Sequence, residues 1–239
     1  MSAANVVLLP GLMCDRAVWA PQLAVLTQRF ACTVADYGAA DSIEAMAEVA
    51  LAAAPAGPLS VAGHSMGGRV ALELVRRVPQ RIARLALLDT GYEARDAGEA
   101  GQDEARKRQR LLDLARAQGM RVMGREWVQR MVHPARLTDA VLIEAILAMI
   151  ERKTPELFAA QIRALLNRPG AESLLEQIAC PTLVLCGRQD AWSPLARHEI
   201  MARAVPGASL VTVEDSGHMS TMEQPAAVNA ALLEWLKRG

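Results

Sequence analysis

Along the chain, short and nearly continuous apolar runs alternate with longer stretches in which apolar residues return every three or four positions. The short runs are Asn5–Leu9, Ala31–Ala35, Leu59–Ala62, Leu85–Leu88, Thr182–Cys186 and Ser209–Val213, each bounded by Gly, Pro, Asp or polar residues. Unbroken hydrophobicity over so short a length is how strands read when a parallel sheet is covered on both faces. Between them the spacing predicts helices over roughly Pro21–Gln28, Ser42–Ala54, Ser65–Val78, Pro194–Val205 and Pro225–Lys237. Pro79 and Pro206 stand directly after two of these, where a helix must stop. The alternation is that of β-α-β units. It predicts an α/β fold with a doubly wound, mostly parallel sheet of about six strands.

One segment breaks the rhythm. From 91 to 171 no strand pattern occurs, and helical spacing appears near Asp103–Gln118, Arg121–Val132, Thr138–Glu151 and Pro155–Leu166, punctuated by Gly119, Pro134 and Pro155. An all-helical insert between two parallel strands reads as a lid over the C-terminal ends of the strands, where such sheets bind ligands. The expected organisation is therefore a core made of 1–90 and 172–239 and a helical lid at 91–171, separable from the machinery beneath it. The apolar positions of the lid, Trp127 and Met131 among them, mostly pack it onto the core, and these two are the candidates for substrate contact. Its mild excess of positive charge reads as a solvated face rather than an anion site.

Composition narrows the function classes. The chain has 239 residues, 52% of them apolar, enough for one well-packed domain with an insert. Lys plus Arg equals Asp plus Glu at 26 each, so no overall field draws in nucleic acid or an anionic membrane. The start, Met-Ser-Ala-Ala-Asn, lacks the basic stretch and apolar core of a secretion signal, and no run reaches the length of a membrane span. The four cysteines, Cys14, Cys32, Cys180 and Cys186, form no metal-ligand spacing with one another or with a histidine. The expectation is a cytoplasmic protein, monomer or homodimer, with reduced thiols and neither metal nor organic cofactor. Cys14 lies near a loop of functional interest and is expected within reach of thiol reagents.

The chemistry concentrates at Gly63-His64-Ser65-Met66-Gly67-Gly68, which follows one predicted strand and opens a predicted helix. A G-x-S-x-G sequence in that setting is a nucleophile elbow. The chain must turn sharply and leave the Ser65 hydroxyl exposed, while Gly63 and Gly67 permit close backbone packing. The N-terminus of the following helix favours developing negative charge.

A serine hydroxyl needs a base. Of the four histidines, His64 sits in the elbow pointing away from the hydroxyl, His133 in the insert and His198 within a helix. His218 alone follows the last strand, in a loop that can deliver an imidazole to Ser65. The acid that orients it has two candidates that end strands, Asp190 in Gly187-Arg188-Gln189-Asp190 and Asp89 in Leu88-Asp89-Thr90, with position favouring Asp190. Backbone N–H groups of Met66 and of Leu12, in the loop Leu9-Pro10-Gly11-Leu12 after the first strand, are the expected oxyanion donors.

Taken in order, Leu9-Pro10-Gly11-Leu12, the elbow, Gly187-Arg188-Gln189-Asp190 and Ser216-Gly217-His218-Met219 resemble the α/β-hydrolase superfamily across all but the insert. The likeness is greatest to small lidded carboxylesterases, such as pimeloyl-ester esterase and enol-lactone hydrolases. That resemblance implies an α/β-hydrolase fold without its first antiparallel strands, a small-molecule ester substrate, and an acyl-enzyme on Ser65. Thioester or C–C bond hydrolysis on the same residues, or a binding member without turnover, are the alternatives. Pro10 stands where the family carries His, so the oxyanion loop must be supported differently.

Overall fold

The computed structural model describes residues 5–238. Strands β1 (Asn5–Leu9), β2 (Ala31–Val34), β3 (Leu59–His64), β4 (Ile82–Leu88), β5 (Thr182–Gly187) and β6 (Ser209–Val213) form one sheet in the order β2-β1-β3-β4-β5-β6. Every neighbouring pair is parallel. β1 through β5 are almost wholly buried apart from β2, an edge strand, as continuous hydrophobicity requires. The strand order turns back between β1 and β3, the switch point at which the strand ends splay and leave a crevice.

Helices α1 (Ala20–Leu26), α2 (Ile43–Ala53) and α3 (Met66–Arg77) alternate with the first strands. Then α4 (Glu99–Gln118), α5 (Met120–Val128), α6 (Ala140–Glu151) and α7 (Pro155–Leu166) follow one another with no strand between β4 and β5. The short α8 (Glu172–Leu175) returns the chain to β5, and α9 (Leu195–Ala204), α10 (Ser220–Glu223) and α11 (Pro225–Lys237) complete it. Ser42, Asp139 and Thr154 cap α2, α6 and α7 by accepting backbone N–H bonds. None of the helices among the described residues is long and apolar enough to cross a membrane.

The predicted elements all occur, with shifted ends. β3 runs on through Gly63 and His64, and β4 begins at Ile82, because register with a neighbour recruits residues of low strand propensity. The helix predicted from Ser65 starts at Met66, since Ser65 has φ 54° and ψ −118° and cannot be helical. α4 begins at Glu99 rather than Asp103, and the helix predicted over Arg121–Val132 ends at Val128. The one-turn helices α8 and α10 carry too little periodicity to be read in sequence.

Candidate active site

The elbow follows from the packing of three backbones. A Cβ on Gly63 would run into the Gly67 carbonyl, and one on Gly67 into the Leu9 carbonyl, so α3 can sit against β1 and β3 only with glycine at both positions. Between them Ser65 is held at positive φ by its N–H donating to the Leu88 carbonyl at 2.9 Å. A non-glycine residue there costs about 1–3 kcal/mol, offset by the surrounding ladder. Met13, Asp89 and Asp215 also have positive φ.

Adjacent strands β3, β4, β5 and β6 end in Ser65, Asp89, Asp190 and His218 or the loops that carry them. His218 Nε2 lies 2.8 Å from Ser65 Oγ, and His218 Nδ1 lies 2.7 Å from Asp190 Oδ2. The other Asp190 oxygen accepts the N–H groups of Trp192 and Ser193, both at 2.8 Å. Burial opposes charge on each partner. For His218, Asp190 outweighs it and holds the imidazole above its ordinary value. For Asp190, His218 and the two N–H donors outweigh it and hold the carboxyl below.

Asp89 is also fully buried but does not bond His218. Its oxygens accept from Gly187 N at 2.9 Å and from Ser220 Oγ, and burial with nearby Asp190 pushes its carboxyl up. It therefore pins the β5 end and α10 rather than the imidazole. The oxygens of Asp89 and Asp190 lie near Cys186 Sγ, close enough together for a cation in principle. They are already filled by N–H and O–H donors, and the thiol is pushed far up by burial, a poor donor set for a metal.

The remaining histidines are structural, and burial keeps His64 and His198 neutral. His64 Nε2 donates to the His218 carbonyl at 2.8 Å, and burial pulls its pKa down to about 4. His198 Nε2 accepts from Thr90 N at 2.9 Å while Nδ1 faces the Pro194 carbonyl, and burial again pulls it down to about 4. His133 Nδ1 accepts from Ala135 N at 3.1 Å. Cys14 is buried and its thiol is pushed up to about 12 by burial and Asp15, which corrects the expectation of a reachable thiol.

Leu12 and Met66 both border the cavity beside Ser65. The Met66 N–H opens α3 and has no intrahelical acceptor. A Cβ on Gly11 would lie 3.0 Å from His64 Nδ1 and 3.1 Å from Ser65 Cβ, so the loop packs tightly against the elbow. In place of the absent histidine, Tyr37 Oη donates to the Pro10 carbonyl at 3.2 Å, and Gln161 Oε1 on α7 accepts Met13 N at 2.7 Å. Arg152, just after α6, ties the loop again by donating from Nε to Asp15 at 2.8 Å.

Neither Tyr37 nor Gln161 was visible in the sequence, because each acts across a long separation with no local motif. Glu223 was missed too. It is buried and accepts Gly217 N at 2.9 Å, Met219 N at 3.2 Å and His133 N at 2.6 Å. An acid five residues after His218, just ahead of Pro225, was the available signal.

Ser65 and His218 open into a cavity of about 260 Å³ whose walls include Trp127 and Met131 from the helical segment, and Trp192. A larger cavity of about 730 Å³ lies against Cys14, Tyr37 and Arg152, and contains neither Ser65 nor His218. The hydrogen-bonded Ser65, His218 and Asp190, not size, single out the smaller one as the candidate site.

The described alpha/beta hydrolase family model matches residues 6–231. The acetyltransferase component of an acetoin-cleaving system from Pseudomonas putida is 31% identical over 74% of this chain, which spans only 45% of that protein. A pimeloyl-[acyl-carrier protein] methyl ester esterase from Aromatoleum aromaticum is 29% identical over 75% of this chain and 74% of its own length. Among solved structures, a thermophilic esterase from Thermogutta terrifontis with malate bound superposes with TM-score 0.86, at 32% identity over 98% of this chain and 90% of that one.

Proposed function

The chain belongs to the alpha/beta hydrolase family, and from that premise we propose that it is a serine hydrolase cleaving a small carboxylic ester through an acyl-enzyme on Ser65. The observation that carries this reading is the continuous hydrogen-bonded series Asp190–His218–Ser65, at 2.7 and 2.8 Å. Ser65 Oγ attacks the acyl carbon as its proton passes to His218 Nε2. Asp190 keeps the proton on Nδ1 and stabilises the imidazolium that forms. The N–H groups of Leu12 and Met66 receive the oxyanion, helped by the N-terminus of α3. His218 then returns the proton to the leaving alcohol. A water, deprotonated by the same imidazole, attacks the acyl carbon, and the acid leaves as Ser65 regains its proton. No step calls for a metal or an organic cofactor. Trp127 and Met131 contact the substrate in this scheme, and 91–171 acts as the lid over it.

Turnover of a short p-nitrophenyl ester tests the reading. The expected result is hydrolysis by the wild type and a loss in kcat on the order of 10⁴-fold or more in Ser65→Ala, because the three residues act as a unit. A folded wild type without turnover would leave a binding member of the fold. Faster cleavage of a matched thioester or diketone would keep Ser65 and replace the ester.

A further inference from the structure

The cavity beside Ser65 carries more positive charge than its acids balance. Arg69 enters from the first turn of α3, Arg108 and Arg168 from the helical segment, and Arg197 from α9. Glu104 is shared by Arg108 and Arg168, each at 2.8 Å, and Glu93 pairs with Arg197 at 3.0 Å. Among the described residues Arg69 has no carboxylate in ion-pair range, and its hydrogen bond runs from Nη1 to the Glu93 carbonyl at 2.8 Å. Lys107 and Arg130 stand exposed at the rim, again without an acid partner among the described residues.

Such a surplus is costly inside a protein. A cation removed from water is normally paired or neutralised. Burial and the neighbouring Arg168 and Arg197, only partly offset by Glu93 and Glu104, pull the Arg69 guanidinium down to about 9, still charged at neutral pH. Arg108 is fixed in the wall, 5.3 Å above the Trp192 ring, so the charges are set in place before anything binds. Part of the positive excess read from sequence as a solvated face therefore lines the recess that holds the nucleophile. Guanidinium groups preorganised in a narrow cavity concentrate anions and grip planar or tetrahedral oxyacids through paired N–H donors.

We propose that the ester attacked at Ser65 carries an oxyacid anion, a carboxylate or a phosphate, seated against Arg69 with Arg168 and Arg197 beside it. The proposal rests on the reading of Ser65 as a hydrolytic nucleophile and specifies the substrate class of that site. The cavity, about 260 Å³, is smaller than the range of about 300–1,000 Å³ that holds drug-sized ligands, which suits a compact acid.

The test compares kcat/KM for matched pairs: methyl hydrogen adipate against dimethyl adipate, and acetylated glycerol phosphate against glycerol acetate. Wild type should prefer the charged member of one pair by about 10- to 100-fold, the scale of a charge-assisted bond, and the preferred pair identifies the anion. In Arg69→Gln that ratio should fall close to one, mainly through KM, and Arg69→Lys should keep part of it. Neutral esters turned over as well as both charged ones would overturn the proposal and leave the hydrolase reading standing. An undiminished ratio in folded Arg69→Gln would also overturn it. If no ester is turned over and Ser65 takes no phosphonate, the hydrolase reading itself falls, and the proposal with it. Should Arg69→Gln not fold, protection of wild-type Ser65 from a phosphonate decides: adipate or glycerol phosphate should protect and adipamide should not, and equal protection by all three overturns the proposal.

Discussion

Asp89 and Asp190 end neighbouring strands, and either could serve the same imidazole by position alone; their hydrogen bonds separate them. Asp190 reaches His218 Nδ1 at 2.7 Å and is kept ionised by that partner and two N–H donors. Asp89 spends both oxygens on Gly187 and Ser220. Asp190→Asn should therefore lower kcat by roughly 10³–10⁴-fold and Asp89→Asn by about tenfold or less, measured in one steady-state assay. A reversed ranking would move the orienting acid to Asp89. The pH profile carries a second sign. His218 must be neutral to take the proton, and its pKa is raised by Asp190, so kcat/KM should climb with pH through a limb above the free-histidine value of 6.5. Removing the carboxylate lowers that pKa, so the limb should move to lower pH in Asp190→Asn. A limb that stays in place would mean the carboxylate does not act on His218.

The helical segment was legible as helices over the site, but not as a brace for the site's loops. Its periodicity located α4 to α7, whereas the bonds it sends into the core join residues far apart in sequence. The Met131 carbonyl accepts His218 N at 2.8 Å, and Gln161 accepts Met13 N, in the loop after β1, at 2.7 Å. The segment thus braces two loops of the site. Met13 sits at φ 59°, and its N–H needs the acceptor on α7 to stay there. Gln161→Leu should lower kcat by about tenfold with little change in KM, less than the loss of a whole oxyanion donor. Gln161→Glu, which keeps an acceptor, should recover most of it. A change confined to KM would make Gln161 a substrate contact instead.

At the scale of the molecule the fold was legible because each level of the sequence agreed with the next. Buried strands read as unbroken apolar runs, α2, α6 and α7 began at capping residues, and the chemistry-bearing residues fell just after strands. What sequence could not supply was the sheet order and the pairing of charges around the cavity. Both are set by packing between segments far apart in sequence, as between Arg168 and Glu104, 64 residues apart, or Gly187 and Asp89, 98 apart. The central claim is that one hydroxyl, Ser65, is activated by this assembly. Intact-mass and peptide mapping after exposure to a small organophosphonate tests it most directly. The account predicts a single adduct, on Ser65, formed by the wild type and absent from Ser65→Ala. An adduct on another residue, or undiminished labelling of Ser65→Ala, would contradict it.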